Sequence, residues 1–401
     1  MDLETLAWLQ TDAGRRLLEE ATHAWVDHGG DPVRAATAVR RIEPDPDRAA
    51  AATTQVQLRA RAVAKFSDLA PLMFFTPEAL EQATRLRVAE HRAARLAAAR
   101  PASVLDLGCG IGGDLLAFAR AGLTAAGVDL DPLRVALAQA NLDALGLPGA
   151  VQVADATTLD VRGFGAVFAD PARRGARGRV FDAEGWTPPW PFVLDLLTGT
   201  AVVKVAPGIP HAMLPDDVEA EWVSDGGEVK EAALWSARLA TTRRRATVIP
   251  ATRPGQAAGG LATLTDEDDP YAGQPRPVRA VGAFLYEPDG AVIRAGLVTA
   301  VAAGVGGGLV DEHIAYVTGD EAFQTPFARS YRVLEELPYR EKQLKAALRE
   351  RGIGRLAIKK RGVDVVPEQL RKRLSLSGDQ EGTLVLTRVA GAGTALLVEP
   401  L

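Results

Sequence analysis

The sequence predicts an α/β chain: a core of alternating strands and helices between a helical N-terminal region and a C-terminal module of mixed strands and helices. Three observations predict it. Val104-Leu-Asp-Leu-Gly-Cys-Gly-Ile-Gly-Gly113 is an aliphatic run that passes through an acid into a glycine loop, and the apolar segment Asp114 to Arg120 follows at once. A second aliphatic run, Ala125-Ala-Gly-Val-Asp-Leu-Asp-Pro132, ends in acids. A third, Val151-Gln-Val-Ala-Asp-Ala156, does the same after a helical stretch from Leu133 to Leu145. Strand, glycine turn, helix and strand in that order make a unit that cradles a nucleotide. Gly108, Gly110 and Gly112 lack Cβ atoms, so the backbone can turn tightly and come close to a ligand.

The flanking acids decide which nucleotide. A dinucleotide seats its pyrophosphate on the helix N-terminus, yet here Asp106 precedes the glycines and Asp114 opens the helix. Two acids suit an ammonium or sulfonium better than a diphosphate. The loop, D-x-G-x-G-x-G, resembles the S-adenosylmethionine loop of class I methyltransferases. That resemblance implies a Rossmann-like core with a seven-stranded mixed sheet and helices on both faces. It also implies that Asp106 and the backbone of Gly108, Gly110 and Gly112 face the methionine end. Asp129 would accept hydrogen bonds from both ribose hydroxyls, and Asp155, beside Ala156, would meet the adenine amino group. The alternatives are a dehydrogenase-like nucleotide fold and a fold that has lost its ligand.

Residues 1–97 read as a helical domain. Asp12 to Trp25 and Asp31 to Ile42 have helical apolar spacing. Pro44-Asp-Pro-Asp-Arg48 is a break and cap before the alanine-rich helix Ala49 to Phe66. After the interruption Leu69 to Glu78, Thr76 caps a helix with Pro77 at its first position, running to about Ala99. Residues 98–250 form the core, with a fourth strand at Gly165 to Ala169, a fifth at Thr200 to Val205, and a hairpin from Glu228–Arg238 and Arg243–Ile249. Residues 251–277, rich in Gly, Pro, Thr and Asp, read as a linker. Residues 278–401 form the last domain. Its expected order is helix Arg340–Arg351, strand Arg355–Lys360, helix Pro367–Arg373 and strand Thr383–Arg388, with His313 and Tyr316 structural.

The 401 residues are 47% hydrophobic and 24% charged, an ordinary globular composition of two or three domains. No run of eighteen apolar residues is present and Met1-Asp-Leu-Glu-Thr-Leu is acidic, so neither a membrane span nor a signal peptide is expected, and the compartment reads as cytoplasmic. The one cysteine, Cys109, excludes a disulfide framework, and its small size suits the loop. Five scattered histidines show no ligand spacing, so no metal is expected. Oligomeric state is not legible.

Just past the fourth strand lies Asp170-Pro171-Ala172-Arg173-Arg174. The position resembles the D/N/S-P-P-aromatic element of amino-group methyltransferases. There the acid and a proline-fixed carbonyl accept hydrogen bonds from the target amine and aim its lone pair. Asp170 and Pro171 keep that element, while Ala172 and Arg173 replace the second proline and the aromatic. Arg173 could stack on a base or grip phosphate, as could Arg174. Trp186 and Trp190 are candidates for the missing stacking surface, the alternative being a plug at the core edge.

Lys65-Phe-Ser-Asp68 and Phe74-Phe-Thr-Pro-Glu78 resemble the element that precedes the core in the trimethylguanosine-synthase-like RNA methyltransferases. The likeness covers roughly residues 60–200. It implies that Phe75 and Thr76 border the cofactor and that Asp170-Pro171 holds a guanine amino group. The chain is net −5, yet Arg329 to Arg373 holds 14 Lys and Arg against 6 Asp and Glu. Lys359, Lys360, Arg361, Arg371 and Arg373 are the clustered cations. The local order there resembles a THUMP-like α/β module, which in RNA-modifying enzymes holds structured RNA, so tRNA or rRNA is the expected partner. The alternative is a solvated charged face. The reading is therefore an S-adenosylmethionine-dependent RNA base methyltransferase. Two others stand beside it: a small-molecule or protein methyltransferase whose basic tail serves assembly, and a non-catalytic RNA-binding protein that retains the cofactor.

Overall fold

The computed structural model describes residues 1–173, 186–251, 259–271 and 277–401. Six helices lead: α1 (Leu3–Leu9), α2 (Asp12–Asp27), α3 (Pro32–Ile42), α4 (Pro46–Phe66), α5 (Pro77–Gln82) and α6 (Leu86–Ala98). Asp2, Thr11, Asp31, Asp45 and Thr76 each accept a first-turn backbone N–H, and proline opens α3, α4 and α5. The single helix expected from Thr76 to Ala99 is two. Lys65 causes the break: its ammonium donates to the carbonyls of Leu80 (2.8 Å), Glu81 (2.6 Å) and Ala83 (2.9 Å), closing α5 at its C-terminus.

The alternating segment follows as β1 (Val104–Leu107), α7 (Gly113–Arg120), β2 (Ala125–Asp129), α8 (Pro132–Ala144), β3 (Ala150–Val153) and β4 (Ala166–Ala169). Then come a short antiparallel pair, β5 (Ala172–Arg173) with β6 (Trp186–Thr187), α9 (Trp190–Leu197) and β7 (Ala201–Val205). The strands run parallel in the order β7-β4-β1-β2-β3, with Leu107 opposite both Val128 and Ala169. β1 and β4 are buried along their whole length, as expected of a parallel sheet covered on both faces. The chain builds outward from β1 through β2 and β3, then returns to β4 on the other side. That reversal opens a crevice at the carboxyl ends of β1 and β4.

The contacts divide the chain into two compact units: residues 1–205, 209–218 and 233–240, and residues 206–208, 219–232 and 241–401. The strands expected to complete a seven-stranded sheet are shared between them. The first unit adds to its five parallel strands only the last residues of β9 (Glu228–Trp235), beside which Ser236 N–H donates to the Ala201 carbonyl at 3.0 Å. The second unit takes the rest of β9 with β8 (Glu219–Asp225), β10 (Arg244–Ile249) and β11 (Ala262–Thr265), in the order β11-β10-β8-β9. The expected β9–β10 hairpin is therefore corrected. Gly226 and Gly227, at φ +65° and +84°, supply a tight left-handed turn that folds β9 onto β8, and β10 then pairs with β8 in parallel. β11 falls inside the stretch read as linker, where turn-forming composition hides a four-residue strand.

The second unit continues with β12 (Phe284–Pro288), α10 (Gly290–Ala295), α11 (Val298–Gly304), β13 (Gly308–Asp311), β14 (Ile314–Gly319), β15 (Ala328–Leu337), α12 (Glu341–Glu350), β16 (Ile353–Lys360), α13 (Pro367–Leu374), β17 (Gln380–Val389) and β18 (Ala392–Pro400). These strands form a sheet ordered β13-β14-β12-β15-β18-β17-β16, with β16 and β17 parallel. Its faces are read from strict alternation. Leu384, Leu386, Ala395 and Leu397 join Leu344, Leu348, Leu370 and Leu374 of α12 and α13 in one core, while Val385, Leu396 and Val398 join Leu285, Tyr316 and Tyr331 in another.

Candidate functional site

The site begins where β1 runs out. Asp106 is 1% exposed, and its Oδ2 has no hydrogen-bond partner among the described residues. Burial, then the carboxylates of Asp114 and Asp170, pushes its pKa well above the usual carboxylate range, against the pull of Arg92. Gly108 (φ +82°) and Gly110 (φ +56°) lie in the left-handed region, and a Cβ on either would meet nothing within 4 Å. The glycine requirement there is conformational, and the space beside the loop is not filled by protein. Gly112 (φ +86°) opens α7, whose first turn has no side-chain cap.

Asp129, at the end of β2, accepts the Gly110 N–H at 3.0 Å and the Asp131 N–H at 2.9 Å, so it fixes the loop from the neighbouring strand. Each oxygen retains a further lone pair. Asp155 lies past β3 and is exposed. The Thr157 hydroxyl (2.7 Å) and N–H (2.9 Å) hold its carboxylate below the usual range, and Ala156 beside it is half-buried. Cys109 is buried, and burial pushes its thiol pKa up, so it is a packing residue. A Cβ on Gly127 would lie 3.0 Å from its Sγ.

The Phe-Phe-Thr element is tied to this loop by a residue the sequence did not single out. Asn141 of α8, fully buried, accepts the Phe74 N–H (2.6 Å) and donates to the carbonyls of Phe74 (3.2 Å) and Ile111 (2.9 Å). Gln55 does the same for Phe75, accepting its N–H at 3.0 Å and donating to its carbonyl at 2.7 Å. The Phe75 ring is 0% exposed and packs on Phe66 at 5.6 Å, a core position. The Thr76 hydroxyl is engaged as the cap of α5.

On the other side of the crevice a relay of charged and polar groups reaches Asp170. Lys204, on β7, places Nζ 2.5 Å from Asp170 Oδ2 and 3.1 Å from Thr84 Oγ1. Thr84 stands in the break between α5 and α6, and its hydroxyl donates to Asp114 Oδ2 at 2.8 Å. Arg92, on α6, pairs with Asp114 Oδ1 and lies over the Phe168 ring at 4.5 Å. Asp106, Asp114, Asp129 and Asp170 thus share one region with Arg92 and Lys204, an excess of carboxylates that favours a cationic ligand. Sequence reasoning missed Arg92, Thr84 and Lys204. The one available signal was a lysine inside the strand-like run Ala201-Val-Val-Lys-Val205.

Pro171 is buried next to Asp170. The backbone of Arg173 pairs with Trp186 in the β5–β6 ribbon, whereas its side chain and the whole of Arg174 lie outside the described residues. The expectation that Trp186 or Trp190 offers a stacking surface is corrected. The indoles meet edge to face at 5.2 Å and are 5% and 8% exposed, which makes them the plug at the core edge.

In the second unit the expected cations are largely engaged. Lys359 Nζ lies 2.6 Å from Glu287 and 5.4 Å from the Tyr331 ring centroid; Arg361 approaches Glu287 at 3.9 Å and lies over Tyr316. Arg373 pairs with Glu341 at 3.0 Å, and Arg371 donates to the Leu356 carbonyl at 3.0 Å. Lys360 is exposed. Among the described residues no group of three or more His, Cys, Asp or Glu could hold a metal ion, and no helix is long and apolar enough to cross a membrane.

Three family models match the chain: a domain of unknown function over residues 2–62, a methyltransferase domain over 104–172 and a THUMP domain-like module over 328–400. Two uncharacterized S-adenosylmethionine-dependent methyltransferases of Mycobacterium tuberculosis, from strains CDC 1551 and H37Rv, are each 39% identical over 359 residues. Those matches cover 87% of this chain and 95% of the relatives. A chain from Porphyromonas gingivalis W83, solved as a candidate methyltransferase, superposes with a TM-score of 0.70 at 21% identity. The match covers 96% of this chain and 98% of that one and shows a shared fold.

Proposed function

Because the chain belongs to the S-adenosylmethionine-dependent methyltransferases and carries a THUMP-like module, we propose that it methylates an exocyclic base amine of a structured RNA in the cytoplasm. Guanine N2 is the candidate atom, and tRNA or rRNA the candidate substrate. The observation that carries the chemistry is Asp170-Pro171 at the carboxyl end of β4, directly after the Leu107–Ala169 pair that sets β4 beside β1 and the start of the glycine loop. The THUMP-like match and the basic bias of residues 329–373 support the RNA partner. The ion pairs of Arg351, Arg355, Lys359 and Arg373 favour a second reading, in which this module assembles the protein and the acceptor is a small molecule or a protein.

The residues fit the cofactor. Asp106 offers an unpartnered buried oxygen to the positive methionine end, the glycine backbone leaves room beside it, and Asp129 and Asp155 stand at successive strand ends for ribose and adenine. When bound, S-adenosylmethionine supplies an electrophilic methyl: the amine lone pair forms the C–N bond as the C–S bond breaks and its electrons stay on sulfur. Asp170 Oδ1 and the Pro171 carbonyl would accept the amine N–H groups and turn the lone pair toward the crevice. Oδ1 would then take the proton released by the methylated nitrogen and pass it to water, which reaches a side chain that is 34% exposed.

Transfer of label from radiolabelled S-adenosylmethionine into fractionated tRNA, rRNA, protein and small molecules tests this reading. Label in one RNA class, with N2-methylguanosine after digestion, is the expected result; label confined to protein or small molecules rejects it. RNA affinity should also fall steeply between about 50 and 200 mM salt.

Asp106 also predicts a pH dependence. Its raised pKa means that the carboxyl is neutral at low pH and gains charge only above the usual carboxylate range. The sulfonium of S-adenosylmethionine should therefore gain affinity, relative to the neutral S-adenosylhomocysteine, as pH rises through that raised value. Calorimetric titration of both ligands across pH 5 to 9 measures the ratio. A ratio that falls with rising pH would contradict the assignment of Asp106 to the methionine end.

A further inference from the structure

We propose that Lys204 is a positioning residue that restricts Asp170 to one working oxygen and limits the acceptor to a neutral, conjugated amine. This rests on the reading above that Asp170 meets the acceptor. Lysine is seldom withdrawn from water unless it is paired, and the Lys204 side chain, 17% exposed on an inner strand, spends its charge on Asp170 Oδ2 at 2.5 Å. Thr84 fixes the direction of the contact. A hydroxyl has a single proton, which Thr84 gives to Asp114 at 2.8 Å, so toward Lys204, at 3.1 Å, it can act only as acceptor. Asp114 is itself held by Arg92 against Phe168. The orientation of Asp170 is thus set from α6, from the α5–α6 break, from α7 and from β7, with Oδ2 turned inward. Among the described residues Oδ1 has no partner.

The charge has a second effect. An aliphatic amine, with a pKa of about 10.4, arrives protonated and without a lone pair. Beside Asp170 it would meet the Lys204 ammonium and find the nearest carboxylate charge already compensated. A base exocyclic amine is neutral at pH 7 and escapes both penalties. Such an acceptor needs only one carboxylate oxygen and one carbonyl, which is what Oδ1 and Pro171 supply.

The test uses the full-length protein, with Lys204→Met and Lys204→Arg, on the RNA fraction that wild type labels. Lys204→Met should lower kcat about 100-fold, a typical loss for misplacing a reacting group. KM for RNA and the calorimetric Kd for S-adenosylmethionine should stay within about two-fold, because neither surface changes. Lys204→Arg should recover about a tenth of wild-type kcat. Asp170→Ala with Lys204→Met should be no slower than Asp170→Ala alone, since one residue acts through the other. If Lys204→Met does not fold, Thr84→Val carries the test, with an expected loss of about 5-fold in kcat at constant KM. Wild-type kcat in the folded variants overturns the role of Lys204 and leaves RNA methylation standing. Absence of RNA label from wild type overturns the functional reading instead. In that case label on an aliphatic amine also ends the neutral-acceptor inference, and label on another conjugated amine preserves it.

Discussion

Asp170→Ala is expected to lower turnover by roughly 10²- to 10³-fold, the usual cost of losing one oriented polar group at a reacting centre. S-adenosylmethionine affinity should remain within about two-fold, because the groups proposed to hold the cofactor stand at the ends of β1, β2 and β3 and not on β4. The substitution removes the acceptor for the amine and takes from the Lys204 ammonium its carboxylate partner, while the Thr84 hydroxyl stays in reach. Asp170→Asn should be nearly as slow. The amide keeps the shape, but its NH2 end cannot face Lys204 Nζ across the 2.5 Å now bridged by Oδ2. The amide must turn its oxygen inward and present N–H groups to an acceptor that also donates. Single-turnover methyl transfer with calorimetric cofactor binding measures both effects. Turnover at the wild-type rate in either variant rejects Asp170 as the residue that orients the amine.

The second large effect concerns stability. Arg92→Met should destabilise the protein by about 3–5 kcal/mol, the cost of breaking a buried ion pair from one side. Arg92 is 1% exposed and Asp114 7%; without the guanidinium, Asp114 keeps the Thr84 hydroxyl but no cation on its Oδ1. Pairing the change with Asp114→Leu should recover part of the loss, because the apolar pair leaves no charge stranded. Urea denaturation followed by tryptophan fluorescence gives the comparison. A single variant within about 1 kcal/mol of wild type would mean that water reaches Asp114.

What was legible in the sequence is what the chain states locally. Asp106, Asp129 and Asp155 could be placed because each sits at the end of its own short aliphatic run, and the parallel register of β1, β2 and β3 makes that order a spatial order. Lys204 could not be placed. Its meaning comes from the pairing of β4 with β7, which brings residues 170 and 204 together across a long connection. Arg92 drew no notice in the sequence, where it stands among other arginines of α6, and only the fold shows that its side chain turns into the protein. Trp186 and Trp190 misled for the converse reason: aromatic side chains near the Asp170-Pro171 element suggest stacking, and only the structure shows that they are buried edge to face against each other. The partners of the basic tail were not legible either. A count of charges along the chain does not reveal that Glu287, Glu335, Glu341 and Glu381 come from other elements to meet them.

Asn141 has a consequence for how the first unit can move. A single carboxamide grips the backbone of Phe74 through both its N–H and its carbonyl, and grips the glycine loop through Ile111. The two segments therefore share their degrees of freedom: neither can shift by much without breaking a buried hydrogen bond. Phe74 also walls a cleft of about 490 Å³ with Arg15, His23, Arg59 and Leu72. One buried carboxamide thus ties a wall of that cleft to the backbone of the glycine loop.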